Sequence, residues 1–227
     1  MKTNMAAIRE AGHCLVALAH GFTIKQVYAR DQSGHTEAER SVVRDEIEWL
    51  GLPGDNNRFA DVQLAGLAAE EVHLSAISSG LLNRLLGIQD ALFRDYQFGA
   101  VRRAEKDLQA ICDLWGMNQY REVVVPYALK ILPGGLFGYD PILRDRMMEV
   151  LGYGPRASSS LPADKELTSF IRRLFESKDN VKRWHFGTKR QQTVLNRLAR
   201  EITKKERLSG LEVSAVVEGR RSLLKPR

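Results

Sequence analysis

The sequence predicts a mainly α-helical protein with a small β-hairpin or sheet element. Three observations lead to this prediction. Apolar residues recur at helical spacing in Ala6–Gly21, and the next stretch, Phe22–Arg30, is rich in the β-branched and aromatic residues typical of strands. Two further amphipathic patterns, Lys165–Ser177 and about Thr188–Arg207, predict helices near the C-terminus. An apolar content of 44% and a charged content of 27% are ordinary for a globular chain.

The composition and the first residues argue against the membrane and secreted classes. No apolar run approaches the length that crosses a bilayer. Arg9, Glu10 and His13 interrupt the stretch in which a signal peptide would need apolar residues. The two cysteines, Cys14 and Cys112, are too few for a disulfide framework. We therefore expect a cytoplasmic protein with reduced thiols and no membrane span.

The N-terminal elements follow one another closely. The first predicted helix stops at Gly21, and the strand after it leads into a predicted turn at Asp31–Gly34, which indicates a hairpin. The charged stretch 36–50 is predicted to be helical in part. A second helix is predicted at Arg58–Leu74. Its small residues would let it pack closely against the first helix.

The rest of the chain is predicted to be helical with breaks. A third helical region should begin after Ser78–Gly80 and continue to about Met117. Residues 121–132 could form another helix, residues 131–141 an irregular loop, and Ser209–Val217 a short segment that folds back.

We divide the chain into a core at 1–152, a possible linker at 153–162 and C-terminal helices at 163–227 that complete the domain. The linker prediction depends on glycine, proline and three consecutive serines. From Lys182 to Arg227 there are thirteen Lys and Arg against four Glu, a net charge of +9, whereas the whole chain carries +6. Such a basic run usually forms a solvated helix face.

A metal-binding motif is almost present in the first helix. Arg9 and His13 are four residues apart, which places them on one helix face, and Glu10 follows Arg9. This is the spacing of H-E-x-x-H, in which two imidazoles bind zinc and the glutamate acts as general base on the metal-bound water. Here an arginine stands at the first position of the motif.

Three segments resemble the zinc peptidase domain of the FtsH-type ATP-dependent proteases, and they occur in the family's order. The segment Arg9–Ala17 resembles the HEAGH helix. The segment Leu64–Gly80 resembles the small-residue helix with paired glutamates, and Leu195–Val213 resembles the closing helix with its Leu-x-Gly-x-Glu ending. Residues 86–190 match poorly. The resemblance implies an FtsH-type peptidase-domain helical fold without the family's membrane helix and ATPase module.

Carried over position by position, the resemblance makes His13 a zinc ligand and Glu10 the general base if the protein is active. Arg9 takes the place of the first histidine, and a guanidinium has no lone pair to donate to a metal. The family's third ligand is an aspartate. An ungapped alignment places Arg84 there, and an alignment with a longer loop places Asp107 there.

The other histidines, His20, His35, His73 and His185, are not expected to complete a zinc site. His20 suits the negative end of its helix, and His73 is predicted to be exposed. If Arg84 holds the third position, we predict that Arg9 and Arg84 are close together. Carboxylates would then intervene in a salt-bridged cluster with Glu10 at its centre.

The expected function is that of a stand-alone, degenerate peptidase-like protein that acts by binding a polypeptide partner. It would serve as a regulator or decoy beside an active homologue, or as a scaffold. One alternative is an active zinc-dependent endopeptidase with an unusual ligand set.

Another alternative is a module that binds nucleic acid or an anionic surface through the basic C-terminal segment. Only Trp184 and Phe186 accompany the charges there. Zinc is doubtful on the leading expectation. ATP is not expected, since no phosphate-binding G-x-x-x-x-G-K-[ST] loop is present. Oligomerisation stays open.

Overall fold

A computed structural model of the chain describes residues 4–30, 33–39, 55–81, 106–118 and 165–219. These residues form mainly helices together with one small antiparallel sheet. The elements in chain order are α1 (Met5–Ala19), β1 (Thr23–Arg30), β2 (Ser33–Glu39), α2 (Asp55–Leu81), α3 (106–114), α4 (Lys165–Phe186), α5 (Lys189–Lys205), β3 (Arg207–Ser209) and α6 (Gly210–Glu218).

The chain divides into two compact units. The first unit comprises Met1–Ile77 and Lys178–Arg227, and the second comprises Ser78–Ser177. Helices α2 and α4 each run from one unit into the other along the chain. No described helix is both long enough and apolar enough to span a bilayer.

Helix α1 is the central element of the first unit and is buried along most of its length. It begins at Asn4, whose side chain accepts a hydrogen bond from the Ala6 backbone N–H at 2.9 Å and so satisfies one of the helix's unpaired donors. It ends before Gly21, which adopts a left-handed φ of 78°. The predicted stop at Gly21 is therefore confirmed.

Glycine and alanine let α1 and α2 approach closely. A Cβ atom on Gly12 would lie 2.6 Å from the Cβ of Ala69 and 2.7 Å from the carbonyl oxygen of Ala65. Only a residue without a side chain fits between the two backbones. The predicted close packing of the second helix on the first is thus confirmed at Gly12.

The sheet has the order β2-β1-β3, and both pairs of neighbouring strands are antiparallel. Strand β1 is central and buries Ile24, Val27 and Ala29. The short strand β3 pairs with β1 through Arg207–Ser209. The predicted strand and hairpin are confirmed, whereas β3 was not predicted.

The C-terminal elements are delimited by strong capping signals. Thr188 and Gln191 form a capping box at the start of α5, and Ser209 and Glu212 form another at the start of α6. Between these two helices, Glu206 adopts a left-handed conformation with φ 61°, which turns the chain into β3. The predicted helix at about Thr188–Arg207 and the short segment after it are confirmed, as α5 and α6.

Three predicted boundaries differ from the structure. The stretch 36–50, predicted to be helical in part, begins as a strand up to Glu39, because it pairs with β1 at a sheet edge that tolerates polar residues. Residues 40–50 lie outside the described residues. Helix α2 does not break at Ser78–Gly80, since serine and glycine weaken a helix without ending it. Helix α4 continues past Ser177, because Lys178, Val181 and Phe186 bury one face.

The described part of the second unit centres on Trp115, which follows α3. Its ring meets Phe170 of α4 edge-on at 5.4 Å, and the Arg173 guanidinium lies 4.0 Å from its ring centre. The predicted segments at 121–132 and 131–141 and the predicted linker at 153–162 lie outside the described residues.

Candidate functional site

The residues of the H-E-x-x-H-like motif lie on the buried side of α1. Arg9, Glu10 and His13 expose only 3%, 5% and 8% of their surface. Charged residues are almost never buried this deeply unless they are paired. Each of the three makes a specific polar contact, and the contacts reach two other elements of the first unit, α2 and β2.

Arg9 forms an ion pair with Glu70 of α2. Its Nη1 lies 3.4 Å from Glu70 Oε2, and both side chains are 3% exposed. A guanidinium stays protonated in proteins and donates hydrogen bonds only, so Arg9 cannot serve as a metal ligand in this position. Glu70 is therefore a carboxylate partner of Arg9, whereas the predicted cluster, which depends on Arg84, stays a prediction.

His13 points to the same helix. Its Nδ1 lies 2.6 Å from the carbonyl oxygen of Val62 on α2. Because a carbonyl only accepts, Nδ1 is the donor, and in a neutral imidazole the lone pair is then on Nε2. Zinc-binding histidines are commonly oriented by a hydrogen bond of this kind.

Gly66 of α2 brings the helix backbone directly against the Arg9 and His13 side chains. A Cβ atom at this position would lie 2.6 Å from Arg9 Cγ and 2.6 Å from His13 Nε2. Even a methyl group would therefore overlap with both side chains. The α2 backbone thus occupies the space next to the nitrogen that a metal would need.

Glu10 faces β2 instead. The Thr36 hydroxyl donates to Glu10 Oε2 at 2.7 Å and lies 3.3 Å from the Glu10 carbonyl oxygen. A Cβ on Gly34 would lie 2.5 Å from Glu10 Cγ, so the glycine lets β2 approach the carboxylate. These contacts of Glu10 are with β2, and they do not make Glu10 the centre of the predicted cluster, which stays a prediction.

Cys14 completes the polar contacts at β2. Its Sγ lies 3.7 Å from Thr36 Oγ1, and the residue is fully buried. Burial raises the pKa of the Cys14 thiol to about 12, with the Glu10 carboxylate adding to the effect and the Thr36 contact opposing it. The thiol is therefore protonated at neutral pH and is not a nucleophile. This agrees with the expected reduced, buried thiol.

The two candidate third ligands, Arg84 and Asp107, stay predictions. Arg84 lies outside the described residues, so its predicted proximity to Arg9 stays a prediction. Asp107 lies in α3 of the second unit. Across the described ranges, no three His, Cys, Asp or Glu side chains form a group that could hold a metal ion.

Glu71, the neighbour of Glu70, makes a separate buried cluster with α4. Lys178 Nζ donates to Glu71 Oε2 at 2.7 Å, and Lys182 also pairs with this carboxylate. Lys178 is itself buried. This cluster links α2 to the C-terminal part of α4 and was not predicted, because the sequence does not separate the roles of two adjacent glutamates.

Two of the remaining histidines also have partners within the first unit. His73 is half-buried, and its Nδ1 lies 3.0 Å from the side-chain oxygen of Asn196, so the prediction of an exposed histidine is wrong. His20 caps α1, as predicted from its position, and lies 3.2 Å from Asp61 Oδ2. Its ring meets that of His185 edge-on at 5.6 Å.

The two aromatic residues of the basic segment differ in solvent exposure. Phe186 is fully buried, whereas Trp184 is 60% exposed. The apolar stripe of α5, predicted from Val194, Leu198 and Ile202, is buried at Leu198 and Ile202.

Comparisons of the chain with protein-family models, with curated proteins and with solved structures found no match. The assignment of a function therefore depends on the geometry of the site and on the residues themselves.

Proposed function

We propose that the protein is a non-catalytic counterpart of FtsH-type zinc peptidase domains and that it acts by binding a polypeptide partner. The observation that carries this proposal is the Arg9–Glu70 ion pair. It occupies the position at which an active peptidase of this type has its first zinc-binding histidine. The role we favour is that of a regulator, a decoy or a scaffold.

Three features of α1 support this proposal. The motif face offers one imidazole, His13, whereas a catalytic zinc site takes three protein ligands and one open position for water. The Arg9 charge opposes a divalent cation nearby. A Cβ atom on Gly66 of α2 would also lie 2.6 Å from His13 Nε2, so the α2 backbone lies close to the nitrogen that a metal would need.

The test is the zinc content of the purified chain together with its proteolytic activity. We expect well under one zinc per chain after dialysis and no cleavage of an unfolded protein substrate. Near-stoichiometric zinc with chelator-sensitive proteolysis would instead support the active endopeptidase. In that outcome Glu10→Gln should abolish activity while the metal stays bound, because Glu10 would be the base and not a ligand.

Repair variants show whether a third ligand is available. Arg9→His should bring zinc binding near stoichiometry only if Asp107 is that ligand, and Asp107→Ala should then remove the metal. If position 84 holds the ligand site, Arg9→His should bind zinc weakly and Arg9→His with Arg84→Asp should bind it well. Zinc binding by wild-type protein that matches the repaired variants would contradict the proposal.

A further inference from the structure

A large aromatic residue is exposed where α4 ends. Trp184 leaves 60% of its surface in solvent, whereas Phe186, two residues later, is fully buried. Single exposed apolar residues are common on protein surfaces, so exposure alone indicates nothing. What distinguishes Trp184 is the charge around it and the rigidity of the corner that carries it.

The corner is held by local contacts. The Trp184 carbonyl accepts a hydrogen bond from the Gln191 side chain of α5 at 2.6 Å. Gly187 lies between the helices, and a Cβ there would be 2.3 Å from the Arg183 carbonyl oxygen. The capping box of Thr188 and Gln191 fixes the start of α5. Hydrogen bonds therefore fix the backbone at Trp184, which lies at the end of a helix and not in an irregular loop.

The sequence on both sides of Trp184 is rich in cations and lacks acidic residues. From 180 to 200 the chain has six Lys and Arg and no Asp or Glu. Lys182 forms an ion pair with Glu71, and Arg197 donates a hydrogen bond to the Val217 carbonyl. Arg183, Lys189 and Arg190 are exposed.

No ion pair of Arg183, Lys189 or Arg190 with a carboxylate is found among the described residues, and Arg183 donates only to Asn180. The exposed carboxylate nearest in sequence, Asp179, pairs with Lys178 at 3.2 Å. We call Arg183, Trp184, Lys189 and Arg190 the Trp184 corner.

We propose that the Trp184 corner binds single-stranded nucleic acid. Phosphates would be neutralised by the three cations, and an unstacked base would lie on the indole, which is how proteins bind single strands without sequence preference. A duplex is disfavoured because its bases are already stacked. An anionic membrane is disfavoured because an interfacial helix inserts an apolar face, and the apolar face of α5, Leu195, Leu198 and Ile202, is buried in the protein.

The test uses the full chain and a labelled oligothymidylate of about 12 nucleotides, a length within known single-strand site sizes. Binding is measured by fluorescence anisotropy at several salt concentrations. Replacing all three cations by glutamine should reduce the slope of log affinity against log salt by about 2, since each phosphate contact on a single strand contributes about 0.7.

The tryptophan variants separate stacking from charge. Trp184→Ala should weaken binding by about tenfold at fixed salt and leave the salt slope unchanged, because stacking is uncharged. Trp184→Phe should retain most of the affinity. Two matched controls, Leu211→Ala and Arg30→Gln, remove an exposed apolar residue and an exposed cation elsewhere and should change neither quantity.

Several outcomes would overturn the proposal. One is absence of oligothymidylate binding at low salt, and another is equal loss of binding from the control variants. A third is binding to vesicles containing phosphatidylserine without binding to the oligonucleotide, which would assign the corner to membranes. Oligothymidylate binding and zinc content are separate measurements on the wild-type chain, so failure of this proposal is distinguishable from failure of the proposed function at α1.

Discussion

Replacing one member of the Arg9–Glu70 pair should strongly destabilise the protein. At 3.4 Å, an effective dielectric constant near 20 gives an attraction of about 5 kcal/mol between the two charges. Both side chains are 3% exposed, so water cannot compensate the charge that is left behind. Arg9→Met and Glu70→Gln should each lower the free energy of unfolding by about 3–5 kcal/mol.

A double-mutant cycle separates the interaction energy of the Arg9–Glu70 pair from the effect of lost packing. In Arg9→Met with Glu70→Gln, neither charge is left alone, and the double variant should recover at least about 1 kcal/mol relative to the sum of the single changes. The control is Arg30→Met, whose side chain is 74% exposed and 4.0 Å from Glu206. It should change stability by less than about 0.5 kcal/mol.

The assay is urea unfolding followed by far-UV circular dichroism, with variants compared only where the m-values agree with wild type. For a chain of this length, the single changes should also lower the melting temperature by about 6–20 °C. Single variants that lose less than about 1 kcal/mol, or a cycle without coupling, would refute the conclusion that Arg9 is held by a buried ion pair.

Three other changes test the packing and titration of the first unit. Gly66→Ala should destabilise by about 1–3 kcal/mol in a urea titration, because the new methyl overlaps Arg9 and His13, and a stability equal to wild type would contradict the close approach of α2. Glu206→Gly should stabilise by about 0.5–1 kcal/mol, because glycine adopts the φ of 61° without steric cost, and a lower melting temperature would disprove this. Burial lowers the pKa of His73 below its ordinary 6.5, with the Arg200 charge adding to the effect and Asn196 and Glu70 opposing it. The unfolded chain thus binds the proton more tightly, so stability is full above pH 6.5 and falls as the pH decreases below it, and His73→Gln should flatten this acid limb.

Local patterns predicted the elements that depend on neighbouring residues. The period of α1, its stop at Gly21 and the strand at Thr23–Arg30 are all visible in consecutive residues. Strand β3 is only three residues long and exists because it pairs with β1, so it leaves no periodic signal in the sequence. Helix α2 extends through Ser78–Gly80, where the sequence predicts a break. Weak helix formers do not by themselves mark the end of a helix.

The candidate site was predictable in its residue types but not in its pairings. The sequence predicts carboxylates near Arg9 only if Arg84 lies beside it, and it cannot tell that Glu70 pairs with Arg9 while Glu71 pairs with α4. The contact of Thr36 with Glu10 depends on how the hairpin folds over α1. His73 is half-buried because Asn196, which is 123 positions away in sequence, packs against it. Contacts of this range leave no trace in local spacing.

The three motif residues of α1 link this helix to other elements of the first unit. Arg9 and His13 tie α1 to α2, through Glu70 and the Val62 carbonyl, and Glu10 ties it to β2. A zinc site on this helix face would therefore need more than a histidine at position 9. Removing the guanidinium would leave the buried Glu70 carboxylate without its partner in the ion pair, at a cost of several kcal/mol. A substitution at position 9 made to introduce a zinc ligand should therefore also lower the free energy of unfolding.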